Sequence, residues 1–238
     1  MMELPLVDAT LNAFGLLVSG DADLWRIIWV SLKTSVSGLL LAAPPAILLG
    51  YLVAMHRFRG RRIAIWLAQA ALSLPTVLIG LLLYLLLSRR GPLGDLQWLF
   101  SQPGIVFGQC VVALPVLVAF TLAAVQGLDP RYAETAVALG ASRWRVMLRV
   151  LHEGRFGVMA AVLSGFGRVI SEVGCALMVG GNIEGQTRTI TTAIALETSK
   201  GEFAQGIALG IVLVALALLM NGALMLLQGD AHSARGHL

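Results

Sequence analysis

The sequence predicts an all-α membrane protein of five transmembrane helices with a cytoplasmic two-helix loop, N-terminus outside and C-terminus cytoplasmic. Three observations predict it: scarce charge, five apolar stretches of spanning length, and arginines concentrated in alternate loops. Of 238 residues, 58% are hydrophobic and 13% charged, and the mean hydropathy is +0.84. A soluble domain carries about 25% charged residues, so this chain lacks the polar surface that water requires.

A spanning helix needs about 20 mostly apolar residues. The first stretch, about Ile28 to Met55, is amphipathic at its start through Ser31, Lys33, Ser35 and Ser37. The second runs from about Ile63 to Leu87 and the third from about Ile105 to Val125. The fourth, about Phe156 to Val179, contains charges, and the fifth, Ile207 to Leu227, has Asn221 as its only strongly polar side chain. Pro44, Pro45, Pro75 and Pro115 fall inside these runs and each removes a backbone donor, while Gly50 and Gly80 add small sites. Such features serve either kinked helices around a cavity or close helix packing through small residues.

The loops set the direction. His56 to Arg62 holds four arginines in seven residues, and the stretch from Gly127 to Arg155 adds Arg131, Arg143, Arg145, Arg149 and Arg155. With Arg235 these make ten basic residues on one side, against Arg89, Arg90, Arg188 and Lys200, four, on the other. The positive-inside rule places the first set in the cytoplasm. The start is acidic (Glu3, Asp8, Asp21, Asp23) and lacks the basic stretch that opens a signal peptide. The expected organisation is an external segment over 1–24, a transmembrane domain over 25–228 with a cytoplasmic loop at 127–155, and a cytoplasmic tail over 229–238.

Several function classes lose support at this point. No Gly-x-x-x-x-Gly-Lys-Ser/Thr phosphate loop occurs, so nucleotide binding of that kind is not expected in this chain. No HExxH or GxSxG motif is present, which leaves an intramembrane enzyme without a catalytic constellation. His56, His152, His232 and His237 are scattered at loop borders and in the tail, and Cys110 and Cys175 read as small buried apolar residues. No catalytic residue, metal site, resident cofactor or nucleic-acid partner is expected. An ATP-independent anion channel or secondary carrier stays open, with Arg168 and Glu172 its only candidate coupling site.

The segment Leu128 to Trp144 is too polar to span and is punctuated for helix. Asp129 can cap a helix that starts with Pro130 in its first position. Gly140 can take the left-handed conformation that ends that helix, and Ser142 can cap a second one running to about Leu151. Ala136 and Gly140 leave room for close approach, and Glu134 and Arg143 supply orienting charges. The same pattern also fits an amphipathic interfacial helix.

Glu134-Thr135-Ala136-x-x-x-Gly140, followed by Ala141-Ser142-x-Trp144, resembles the EAA-x-x-x-G loop of bacterial ABC-importer permeases, placed before the last two spans. Thr135 stands where that family has Ala. His152-Glu153 stand where it ends the motif with Leu-Pro, so the second helix is expected to continue into the fourth span. The resemblance implies the type I ABC-importer permease fold. It also implies a coupling helix whose Glu134, Ala136, Gly140, Ser142, Arg143 and Trp144 face a separate ATP-binding subunit.

In the fourth span, Arg168 and Glu172 are four residues apart and can pair across one helix face. A charge at mid-bilayer is costly, so both should face the bundle interior or a watery cavity. Arg168, Ser171, Glu172 and Gly174 are thus candidates for a polar element of the pathway or for a structural ion pair. The run Gly165-Phe166-x-Arg168-x-x-Ser171-Glu172-x-Gly174 is similar to the same region in permeases for molybdate, tungstate and sulfate. Met178 to Thr198 looks closest to the tungstate branch, and the resemblance covers roughly residues 25 to 228. Asn182, Thr187, Arg188 and Thr191 form a hydroxyl-rich outer loop that could receive an anion, act as an outer gate, or form a docking rim. Glu184, Glu197 and Glu202 nearby argue against a simple anion funnel.

The resemblance implies a homodimer with two ATP-binding subunits, which carry ATP and Mg, and an external solute-binding protein. Its setting is the membrane lipid of a bacterial or archaeal plasma (inner) membrane. Tungstate is the first expectation for the cargo, then molybdate or sulfate.

Overall fold

The structure is a computed structural model and describes residues 13, 15 and 18–235, with side chains to Asn221 and Gly222 and at Met225. The residues of the predicted external segment before 18, apart from 13 and 15, lie outside this description, as do 236–238 of the predicted tail. Among the described residues every regular element is helical: α1 (Ala22–Met55), α2 (Arg61–Ala71), α3 (Thr76–Leu87), α4 (Gln102–Gln126), α5 (Arg131–Ala138), α6 (Arg143–Glu153), α7 (Arg155–Ile170), α8 (Gly174–Gly180), α9 (Ile190–Lys200) and α10 (Phe203–Arg235), with a 3-10 turn at Gly94–Leu96.

Three of these helices, α1, α4 and α10, are long and apolar enough to cross a membrane. Two of the predicted spans are broken instead: α2 and α3 form one bent pair and α7 and α8 another, giving up to five crossings if each pair counts as one. Pro75 stands at the first break, at the position preceding α3. Pro44, Pro45 and Pro115, by contrast, lie within continuous helices. The predicted tail is helical as far as Arg235, as the end of α10.

The chain divides into two compact units. One gathers the described residues up to Gly38, Pro75–Val112 and Gly167–Leu219; the other gathers Leu39–Leu74, Ala113–Phe166 and the chain from Met220. In the first unit, Leu24, Ile27 and Ile28 of α1 pack with Ile190 and Ala193 of α9 and Ala208 and Leu209 of α10. The start of α9 is tied down by a capping box between Thr189 and Thr192. Ser31 Oγ of α1 also accepts the Ile190 N–H at 2.6 Å, so the serine that made the first span look amphipathic satisfies an otherwise orphan helix-end donor.

The α3–α8 contact in this unit is made through glycines. A Cβ on Gly80 would stand 2.9 Å from Cys175 Cα, and one on Gly174 would stand 2.6 Å from Val77 Cγ2. In the second unit a Cβ on Gly50 would meet Thr121 Cβ at 2.8 Å. Of the two roles open for these small residues, close packing is the one the structure gives Gly50 and Gly80. The second unit centres on Tyr51 and Val125, against which Val146, Met147 and Val150 of α6 pack the two-helix loop.

Candidate functional site: an exposed helix pair and a broken membrane helix

The loop folds as the two short helices α5 and α6 around a tight turn. Asp129 Oδ1 accepts the Arg131 N–H at 2.9 Å, and Pro130 sits with helical φ and ψ one position before α5. At the other end Gly140 has φ +76. Its N–H bonds Val137 O at 2.9 Å and the Ala141 N–H bonds Ala136 O at 3.0 Å, the pair of bonds that closes a helix on a left-handed residue. Ser142 holds the extended position before α6, but its side chain makes no capping bond. The turn is therefore fixed by Gly140, not by the serine.

The second helix does not run into the fourth span as expected. It ends at Glu153, Gly154 intervenes, and α7 starts at Arg155. Gly154 still donates to Val150 O at 2.9 Å and accepts from Val158 at 3.0 Å, so the interruption is a single residue wide.

Exposure separates the candidate docking residues. Glu134, Gly140, Ser142, Arg143 and Trp144 are exposed, Trp144 by 63%. Ala136 is half-buried and packs toward Tyr51 and Val146. It lets α5 lie close against its unit while still lining the cavity around the two helices. Sequence reasoning missed Val137 and Leu139, exposed by 61% and 82%, and Tyr132. Helical spacing gave no signal for them, because Val137 stands four residues after Ala133 and Leu139 three after Ala136, positions that share the inward stripe. Around α5 and α6, a cavity of about 700 Å3 is lined by Tyr132, Ala136, Leu139, Arg131, Arg145 and Arg149, among others. An apolar tip bordered by guanidiniums can bind a protein surface of mixed apolar and acidic character.

The fourth predicted span yields the second feature. The helix ends at Ile170, so Arg168 and Glu172 do not share a helix face; Glu172 lies in the break. The pair forms nonetheless, Arg168 Nη1 to Glu172 Oε2 at 3.2 Å, with the carboxylate side chain 1% and the arginine 37% exposed. Glu172 Oε1 accepts the Cys175 N–H at 3.0 Å at the start of α8, and Thr191 Oγ1 donates to Glu172 O at 2.7 Å. Both carboxylate oxygens and the carbonyl of the break are thereby satisfied, as a buried acid requires. Ser171 Oγ turns back to Gly167 O at 2.8 Å, and Gly174 is occupied in packing against Val77.

The outer loop is less open than its composition implied. Thr187 is buried, donating to Gly180 O at 2.6 Å and accepting from the Ile183 N–H at 2.9 Å, and Thr191 is buried on Glu172. Neither hydroxyl is free to receive an anion. Asn182 has φ +51 and a buried Oδ1 without a partner among the described residues. Arg188 pairs with Glu184 at 3.5 Å and lines a cavity of about 210 Å3 with Asp23, Arg26, Glu197 and Lys200. Glu184 lines it too, so the acidic and basic side chains around that cavity balance in formal charge. No group of three or more His, Cys, Asp or Glu able to hold a metal occurs among the described residues.

Helices long and apolar enough to cross a membrane, with an exposed helix pair between them in the chain, define a membrane-embedded component. The chain belongs to the family of binding-protein-dependent transport system inner membrane components, which it matches over residues 46–229. It is 37% identical over 91% of its length to a tungstate uptake system permease of Campylobacter jejuni, covering 90% of that protein. It is 39% identical to a probable anion ABC transporter permease of Haloferax volcanii (85% and 90% covered). Against the molybdenum transport system permease of Escherichia coli K12 the identity is 30% (75% and 82% covered). Among solved structures, a chain of a bacterial alginate ABC transporter superposes with TM-score 0.71 at 20% identity, covering 93% of this chain and 88% of that one. A chain of the MetNI methionine ABC transporter gives 0.63 at 14% (96% and 99% covered). The fold is that of ABC-importer permeases.

Proposed function

We propose that this permease carries a tetrahedral oxyanion inward, tungstate first and molybdate or sulfate next, as a homodimer served by two ATP-binding subunits and an external binding protein. The observation that carries the cargo is the tungstate permease relative at 37% identity over 91% of the chain. The pathway crosses the bilayer five times, N-terminus outside and C-terminus inside, with α2–α3 and α7–α8 each counted as one crossing. Residues 1–24 are the external segment, 25–228 the transmembrane domain and 229–238 the cytoplasmic tail.

The exposed tip of α5 and its turn, Glu134, Val137, Leu139, Gly140, Ser142, Arg143 and Trp144, docks the ATP-binding subunit. ATP-driven closure of the two ATPases draws the two tips together, the pore opens outward to accept the anion, and reopening releases it inside. Arg168 and Glu172 hold the α7–α8 break in shape, and the exposed part of the Arg168 guanidinium faces the pathway. Asn182 and Arg188 belong to the outer rim that meets the binding protein. No covalent chemistry falls to this chain.

Reconstitution tests the whole reading. Proteoliposomes with the chain, its cognate ATPase and its binding protein should accumulate tungstate, measured by elemental mass spectrometry, only with internal ATP. Uptake that persists without the ATPase would establish the channel or carrier alternative instead. Leu139→Ala should weaken ATPase association about 10- to 30-fold, because burying a leucine contributes about 1.5–2 kcal/mol. Unchanged association by light scattering or calorimetry would remove α5 from the docking surface.

A further inference from the structure

α2 is an 11-residue helix with no buried residue. At about 1.5 Å per residue it is about 16 Å long, roughly half the hydrocarbon core of a bilayer. Its residues sort into three strips. Arg61, Ala64, Ile65, Ala68 and Ala71 are half-buried and form the strip against the rest of its unit. Ile63, Trp66, Leu67 and Ala70 recur at i, i+3, i+4 and i+7 and are all exposed, the first three by 63%, 65% and 54%. Arg62 and Gln69 lie on the edge between, also exposed.

The junction with α1 fixes where this helix sits. Arg61 Nε donates to Val53 O at 2.8 Å and Arg61 Nη2 to Ala54 O at 3.0 Å. These are carbonyls of the last turn of α1, which an arginine satisfies while meeting the negative end of the helix dipole. α2 is thereby pinned to the terminus of a spanning helix, at the edge of the bilayer. The side chains of Arg57, Arg59 and Arg62 are exposed and make no hydrogen bond or ion pair among the described residues. An aromatic and branched apolar strip on a helix too short to cross, edged by three unpaired guanidiniums, is complementary to an acidic lipid surface.

We propose that α2 lies flat in the inner-leaflet interface with Ile63, Trp66 and Leu67 among acyl chains, leaving the second crossing to α3 and its flanking segments, and that Arg57, Arg59 and Arg62 bind the phosphates of acidic phospholipids. The proposal rests on the inward placement of the Arg57–Arg62 loop and is independent of the transported anion. Arg57 and Arg61 also line a cavity of about 340 Å3 shared with Asp129 and Glu134. A lipid phosphate on Arg57 therefore adjoins the start of the docking helix, so acidic lipid has a direct route to α5.

The test uses the full chain with its ATPase in nanodiscs of phosphatidylcholine with and without phosphatidylglycerol. Spin-labelled phosphatidylglycerol should be retained over labelled phosphatidylcholine. The Arg57→Ser/Arg59→Ser/Arg62→Ser variant, which keeps Arg61, should lose that preference about tenfold or more, because each basic residue near the surface contributes about a fivefold factor. The corresponding triple lysine variant should regain most of it. Dibrominated lipid should quench the fluorescence that Trp66→Phe removes. Unchanged preference in the serine variant, no recovery with lysine, or an unquenched Trp66 covered by protein would each overturn the proposal. Labelling of a cysteine at Phe58 reports separately whether the loop faces inward, so a failed topology is distinguishable from a failed lipid site.

Discussion

Glu172 lies in the three-residue gap before α8, where one carboxylate oxygen takes the Cys175 N–H and the other takes Arg168. The two oxygens therefore contribute separately. Glu172→Gln keeps an amide oxygen for the Cys175 N–H and loses mainly the ion pair with the partly exposed Arg168. Glu172→Ala loses both and leaves a buried N–H unsatisfied, which costs about 1–3 kcal/mol beyond the loss of the pair. The expected order of thermal unfolding temperature in nanodiscs is wild type, then Gln, then Ala. Equal loss in the two variants would mean that the cap contributes nothing. Arg168→Ala separates the two roles: if its side chain also serves the pathway, transport falls further than membrane expression does.

At the scale of elements, what was legible in the sequence depended on whether the cause was local. Composition and loop charge made all five hydrophobic stretches visible, and Asp129, Pro130 and Gly140 placed the α5–α6 turn because each acts within a few residues. Pro75 marks a real break, whereas Pro44, Pro45 and Pro115 sit in continuous helices; neighbouring helices decide which proline ends a helix, and a single sequence does not contain them. The α7–α8 break is the opposite case. Ser171-Glu172-Val173 carries no breaker residue, and the opening is held by Thr191, 19 residues on, through its bond to Glu172 O. The α3–α8 crossing gives the corresponding prediction. A side chain at Gly80 would meet Cys175 Cα at 2.9 Å and Met178 Cβ at 3.0 Å, so Gly80→Val should lower stability by about 1–3 kcal/mol. Gly167 has nothing within 4 Å, so Gly167→Ala should stay within about 0.5 kcal/mol. Similar unfolding temperatures for the two variants would deny the glycine-mediated crossing.

For the whole molecule, the sharpest question is which side of the membrane each loop occupies, because α3 is short. Its 12 residues span about 18 Å against a hydrocarbon core of about 30 Å. If α2 lies in the interface, the crossing between the arginine loop and Arg89-Arg90 falls to α3 with its flanking segments. If α2 and α3 instead form a re-entrant hairpin, the chain crosses four times and Arg90 returns to the side of Phe58. Single cysteines at Phe58, Arg90, Leu139 and Glu202, all exposed positions, decide between these. The native thiols interfere little, since Cys175 is buried and Cys110 is half-buried within α4. A membrane-impermeant maleimide should label the cysteines at 90 and 202 in intact cells, and those at 58 and 139 only after permeabilisation. Labelling of 58 and 90 from one side and of 139 from the other would convert α2–α3 into a re-entrant element. The arginine-rich loop and Arg89-Arg90 would then share one face and the α5 tip would lie on the other, which separates the two basic loops that the positive-inside rule places together.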